Sequence, residues 1–176
     1  MTVTIRHAQP SDAAELAALA AATFALACPP GTAPESIAEF IAGTLSEERF
    51  AGYLADPTRD IRLAEHDGVA AGYTMLVFGD PAAADVAAAI SIRPTAELSK
   101  VYVLSDRHGA GIAAPLMAAT LDAARERGAL GIWLGVSAQN ARAIRFYEKS
   151  GFVIVGTKTF MVGPEPQLDH VMERAL

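Results

Sequence analysis

Apolar and polar residues alternate over residues 2–7 (TVTIRH), the period of a short, half-buried strand. Residues 16–28 are apolar and alanine-rich. Asp12, followed three residues later by Glu15, has the spacing of a capping box, which predicts a helix from Asp12 to about Ala27. Cys28-Pro29-Pro30-Gly31 breaks it. Ile37, Phe40, Ile41 and Leu45 recur at helical spacing within 34–45, and Ser46-Glu47-Glu48 opens a third helix that stops near Asp56-Pro57. Ile61, Leu63 and Glu65 lead into Asp67-Gly68, a pair suited to a tight hairpin turn, and residues 69–78 return as the partner strand. Residues 79–95 (GDPAAADVAAAISIRPT) are the least periodic and hold two prolines. They read as a mobile connection, placed where a substrate gate would sit.

Beyond this connection the pattern sharpens. Residues 97–104 (ELSKVYVL) form a strand, 112–127 an amphipathic helix stopped by Gly128, and 130–136 (LGIWLGV) an apolar, buried strand. Strand, helix, strand makes a right-handed crossover between two parallel strands. A helix over 140–150 closes on Gly151, and strands over 152–161 and 169–173 follow. No repeat or linker divides the chain, so residues 1–176 are expected to form a single domain.

Composition narrows the chemistry. Hydrophobic residues make up 52% and charged residues 19%, enough for a core that needs neither disulfide nor metal. The one cysteine, Cys28, forms no intrachain disulfide and belongs to no Cys-rich zinc site. The 14 Lys and Arg against 20 Asp and Glu give a net charge of −6, which argues against nucleic acid as a partner and leaves room for a cationic substrate. The apolar run before Cys28 lacks the positive flank of a secretory signal, and no other run approaches a membrane span. A cytoplasmic protein with no membrane contact is expected.

His108-Gly109-Ala110-Gly111-Ile112-Ala113 lies between a strand and a helix. Glycines let a backbone approach a ligand closely, and the first amides of a helix point outward without partners, so the turn suits a pyrophosphate. Arg107 and His108 add positive charge. Gly109, Gly111 and Ala114 also fit a dinucleotide fingerprint, G-x-G-x-x-A. Against that, Ser105 to His108 separate the strand from the first glycine, and the next strand ends Leu134-Gly135-Val136-Ser137 with no acid for a ribose. A dinucleotide binder stays as an alternative of another class.

A second cluster runs from Asn140 to Phe152 and reads N-x-x-A-x-x-F-Y-x-x-x-G-F. With the preceding strand and the glycine turn, it resembles the GNAT superfamily of acetyl-CoA-dependent N-acetyltransferases over the whole chain, most strongly from Glu97 to Phe160. Within that superfamily the closest resemblance is to the bacterial spermidine/spermine N-acetyltransferase group. Leu98-Ser99-Lys100-Val101-Tyr102-Val103-Leu104, Ile132-Trp133-Leu134-Gly135-Val136 and the tail from Val155 to Gly163 carry it, with Gln167 and Asp169-His170-Val171-Met172. Two departures stand out. Ser137 and Ala138 occupy positions where that group often has a bulky aromatic and an acid, and His108 replaces the Gln or Arg that opens the superfamily's glycine pattern.

The resemblance implies an α/β GNAT fold: a mixed, mostly antiparallel central sheet with a splayed parallel pair and helices on both faces. It implies that backbone groups of Val101, Tyr102 and Val103 hold the pantetheine arm of acetyl-CoA, and that His108, Gly109, Ala110, Gly111, Ile112 and Ala113 hold its pyrophosphate. Asn140, a natural helix N-cap, gains a hydrogen bond to the cosubstrate. By position alone Tyr147 reads equally as a helix tyrosine packed with Phe146; the resemblance makes it the general acid for the departing thiolate and a cosubstrate contact. Glu97 opens the splayed strand, either as a solvated strand-end acid or as the general base. Glu65 and the acids of the Ser46 helix are further candidates for contacting an amine. His7, His66 and His170 show no metal spacing, Cys28 has no base motif beside it, and Trp133 reads as core, so no metal is expected. The expected reaction moves acetyl from acetyl-CoA to a primary amine by direct attack, with a polyamine or other small amine favoured. A protein N-terminus or an aminoglycoside is the alternative acceptor, and a non-catalytic acyl-CoA-binding module the alternative class. A homodimer is left open.

Overall fold

The computed structural model describes residues 2–107 and 109–176. Among these residues, seven strands form one sheet in the order β1-β2-β3-β4-β5-β7-β6. They are β1 (Val3–His7), β2 (Arg59–His66), β3 (Val69–Phe78), β4 (Thr95–Val103), β5 (Gly131–Ser137), β6 (Val153–Val162) and β7 (Glu165–Ala175). Only β4 and β5 run parallel; every other pair is antiparallel. The mixed sheet with its parallel pair matches the expected GNAT architecture, and it is not the doubly wound parallel sheet of a dinucleotide binder.

Alternation along the strands sorts side chains onto two faces. Leu76, Leu98, Ile132, Leu134 and Met172 pack against α5 (Ala113–Glu126) and α6 (Ala141–Lys149). Ile61, Leu63, Tyr73 and Met75 point the other way, onto α1 (Ala13–Ala27) and α3 (Glu47–Ala55), with α2 (Pro34–Thr44) flanking them. Farther along this second face, Trp133 and Val171 pack under α4 (Ala84–Ala89). The second face therefore has two helical blocks with a trough between them.

The turn chemistry acts as read. Asp67 and Gly68 both take positive φ, 52° and 81°, as a tight β2–β3 turn requires. Two local readings need correction. Asp12 stands at the N-cap of α1, yet its carboxylate makes no bond to the helix. It accepts instead from the Arg6 guanidinium at 2.8 and 3.0 Å and from the Gln9 N–H at 2.6 Å. A bidentate guanidinium outcompetes a lone amide, so the Asp12–Glu15 capping box does not form. Residues 79–95 are not a structureless gate either. They contain α4, and the buried Glu173 carboxylate of β7 accepts from Ser91 N–H, Ser91 O–H and Ile92 N–H at 3.0–3.2 Å. A partner on another strand fastens this segment, which no local pattern reveals.

Candidate active site

β4 pairs with β5 only from Thr95–Gly131 to Glu97–Trp133, and beyond that point no ladder joins them. The far edge of β4 keeps its antiparallel pairing to β3, with Val101 opposite Thr74, Tyr102 opposite Tyr73 and Val103 opposite Gly72. The gap opens into a cavity of about 700 Å³. Its wall includes the β4 edge from Glu97 to Val103, the glycine turn, the end of β5, α6 and the β6–β7 pair.

The glycine turn lies at one end of this cavity. Gly109 and Gly111 hold φ of +87° and +76°, a backbone conformation that disfavours other residues, and a Cβ on either would meet nothing within 4 Å. The residues are glycine for their backbone, and the space in front of them is open. Ile112, Ala113 and Ala114 also line the cavity, where α5 begins with no capping side chain. Ala110 is not among the lining residues: its N–H donates to the Arg107 carbonyl at 3.1 Å and it packs against the cluster of Ala64, Ala71, Ile112 and Leu116. His108 lies outside the described residues.

Tyr147 and Asn140 come from α6. The Asn140 side chain accepts from Ala143 N–H at 3.1 Å, the N-cap expected of it, and the same residue faces the cavity. Tyr147 is buried at the gap beside Phe146 and Phe152, and burial holds its phenol above the ordinary tyrosine value. It therefore stays protonated at neutral pH. Tyr102, on β4, is raised for the same reason.

Glu97 lies across the gap from α6, on the sheet face that carries the trough. A bulge sets what accompanies it: Met75 pairs with Lys100 and Leu76 with Leu98, leaving Ser99 as an extra residue in β4. Leu98 and Val101 thereby both face α5, while Glu97, Lys100 and Tyr102 share the opposite face. Lys158 and Asp169, a directly opposed pair on β6 and β7, point into the same space. Burial raises the carboxyls of Glu97 and Asp169, and lowers Lys100 to about 8. Among the described residues, none of these four side chains makes a hydrogen bond or an ion pair within 4.0 Å. Lys100, Lys158 and Asp169 are site residues the sequence reading did not assign.

Other expected contacts fall elsewhere. Glu65 binds Arg6 at 3.0 Å on the outer strands, and neither it nor the acids of α3 line the cavity. Cys28 does line it, but burial raises its thiol, the wrong direction for a nucleophile. Among the described residues no group of three His, Cys, Asp or Glu side chains is placed to hold a metal, and no helix is long and apolar enough to cross a membrane.

Comparison with known proteins agrees with this geometry. The profile of the Acetyltransferase (GNAT) family matches residues 21–152. An uncharacterised N-acetyltransferase of Mycobacterium tuberculosis is 52% identical over 166 residues, covering 94% of this chain and 99% of that protein. Among solved structures, a PaiA N-acetyltransferase of Thermoplasma acidophilum in complex with coenzyme A superposes with a TM-score of 0.78 at 20% identity, covering 100% of both chains. A chimera of the Vibrio cholerae spermidine N-acetyltransferase SpeG superposes at 0.68 and 21% identity, covering 99% of this chain and 96% of that one. Its lower score does not single out the polyamine group. By profile and by its relatives, this chain belongs to the GNAT family of acetyltransferases.

Proposed function

We propose that residues 1–176 act as one domain that acetylates the primary amine of a small molecule by direct attack on acetyl-CoA. The observation that carries this reading is the break in the β4–β5 ladder. It opens a continuous cavity from the glycine turn to Glu97, with Tyr147 at the gap.

The residues present suit the cosubstrate. Gly109, Gly111 and the uncapped start of α5 offer open space and backbone donors to a pyrophosphate. The β4 edge beyond Glu97 offers main-chain groups to the pantetheine amides, as a neighbouring strand would, and a β4 N–H polarises the thioester carbonyl. Acetyl-CoA supplies an activated acyl group on a thiol leaving group. Glu97, raised by burial, takes a proton from the incoming ammonium so that the nitrogen lone pair is free to attack. As the C–N bond forms and the C–S bond breaks, Tyr147 gives its proton to the departing sulfur, and the second proton shed by the nitrogen returns the phenolate to the phenol. An ordinary thiol has a pKa of about 8.5 and a tyrosine about 10, so this transfer is uphill. The burial that raises Tyr147 also raises a thiol in the same pocket, which keeps the two nearly matched.

Acetyl-CoA-dependent thiol release tests the reading. With an accepted amine, Tyr147→Phe is expected to lower kcat by about 10²–10⁴-fold while coenzyme A binding changes little. An unchanged kcat under chemistry-limited conditions removes Tyr147 as the acid. Binding without release to any amine returns the protein to an acyl-CoA-binding module.

A further inference from the structure

Acid–base chemistry accounts for Glu97 but not for the three charged groups beside it. Two of them are lysines, and lysines in a cavity gain nothing from an incoming ammonium. We infer that the acceptor carries a carboxylate beside its reacting amine, and that Lys158, with Lys100, holds that carboxylate. The inference rests on the acetyltransferase reading for the chemistry and on separate observations for the acceptor.

The first observation is the seat of Lys158. Its stem lies across the backbone of Gly135, in the middle of β5. A Cβ on Gly135 would stand 2.3 Å from Lys158 Cε, 3.1 Å from its Nζ and 3.3 Å from Asp169 Oδ2. The ammonium lies 5.5 Å from the ring centre of Phe160 and 5.9 Å from that of Trp133. A glycine in mid-strand and two flanking rings hold this lysine over the trough, whereas a merely solvated lysine needs neither.

The second observation is that no ion pair joins the charges. Glu97, Lys100, Lys158 and Asp169 balance to zero, face one another, and still keep more than 4.0 Å between charged atoms. Charges removed from water without a partner are costly, and such a cost is recovered when a ligand supplies the partners. A zwitterion does so on both sides, its ammonium between the acids and its carboxylate on the lysines. A polycation pairs with the acids and leaves both lysines facing positive charge. The cosubstrate is not their partner, because its expected phosphate cradle lies at the start of α5, on the opposite face of the sheet.

The rest of the acceptor is apolar. Phe24 stacks on Phe40 at 4.4 Å between ring centres, Phe160 meets Phe40 edge-on at 5.5 Å, and all three line the cavity beside Lys158. An α-amino acid with an apolar side chain fills all three parts of the site.

Calorimetric titration at pH 7 of the protein preloaded with coenzyme A tests this without requiring turnover. The probes are phenylalanine, phenylalaninamide, phenethylamine and spermidine. Phenylalanine is expected to bind at least tenfold more tightly than the amide, in which a neutral carboxamide replaces the carboxylate. Lys158→Gln should erase that preference and Lys158→Arg should retain most of it, with melting curves showing each variant folded. If Lys158→Gln does not fold, Gly135→Ala serves, since its Cβ pushes the lysine stem aside.

Equal or tighter binding of the amide, phenethylamine or spermidine overturns the inference. So does a preference that survives loss of Lys158, or failure of all four probes to bind. Thiol release from acetyl-CoA in parallel samples reads the proposed function separately: preference without release keeps the acceptor site and discards the chemistry.

Discussion

Two charged clusters of this protein use similar residues to opposite ends. On the outer strands, Arg6 grips Asp12 at 2.8 and 3.0 Å and Glu65 at 3.0 Å, and Asp12 also accepts from a backbone amide. The paired guanidinium holds the Asp12 carboxyl below its ordinary value. In the trough, Asp169 and Glu97 have no such partner, and burial pushes their carboxyls up. The same side chain is thus shifted down where the fold has completed its bonding and up where it has not. Completed pairs fasten β1, the start of α1 and β2; incomplete ones, on the proposed reading, are where the acceptor binds.

If the contrast holds, substitutions in the two clusters should separate cleanly into stability and activity. The largest effect is expected from Glu97→Gln, which removes the proposed proton acceptor and should lower kcat by about 10²-fold or more. Its melting temperature should hold or rise, because a buried, unpaired carboxylate is relieved. A variant that loses stability instead would place Glu97 with the structural cluster. Gly135→Ala comes next. The added methyl meets the flexible end of Lys158 and, at 3.3 Å, the Asp169 carboxylate, so the fold should survive while selectivity for a carboxylate-bearing amine falls about tenfold, judged by kcat/KM against the matching carboxamide.

Asp12→Ala should do the reverse. It should cost about 1–2 kcal/mol, the lower part of the range for charge-assisted bonds because Arg6 remains 34% exposed, with kcat/KM unaltered. For a chain of this size that lowers the melting temperature by roughly 2–8 °C. The smallest effect is a pH dependence. Lys100 is faced by Glu97 on its own strand, Arg59 of β2 and Lys158 of β6, and burial brings it to about 8. As pH rises through 8 its charge is lost, so KM for a carboxylate-bearing acceptor should rise severalfold between pH 7 and 9. Stability moves the other way. Between about 8 and the ordinary value of 10.5 the unfolded chain binds the lysine proton and the folded chain does not, so Lys100 makes stability increase with pH in that window. Lys100→Met should flatten both trends.

What was legible in the sequence was local. The Asp67-Gly68 turn, the strand–glycine–helix unit around Gly109 and the α6 run from Asn140 to Phe152 each declare themselves within a dozen residues. Their chemistry depends on backbone conformation and short spacing. Glu173 reaching Ser91, or Arg6 taking Asp12 from its helix, is a choice among distant partners that no window contains. The trough charges were hidden for a second reason. Plain alternation places Lys100 opposite Glu97, and only the bulge at Ser99 returns it to the same face. The lone hints were a glycine within the apolar run Ile132-Trp133-Leu134-Gly135-Val136, and charged residues at Lys158 and Asp169 in the last two strands.

Ser99 has a consequence for how this strand can change. β4 is written in two phases, with core on even counts before the bulge and on odd counts after it. Straightening the bulge with every residue kept would set the whole strand to a single phase. Lys100 and Tyr102 would be driven among the apolar side chains of α5, while Val101 and Val103 would turn out into the trough. The strand's chemistry and its packing are therefore tied to a spacer that must be looped out or lost whole: removing Ser99 itself would leave Lys100 and Tyr102 in the trough and Val101 and Val103 on α5, in plain alternation.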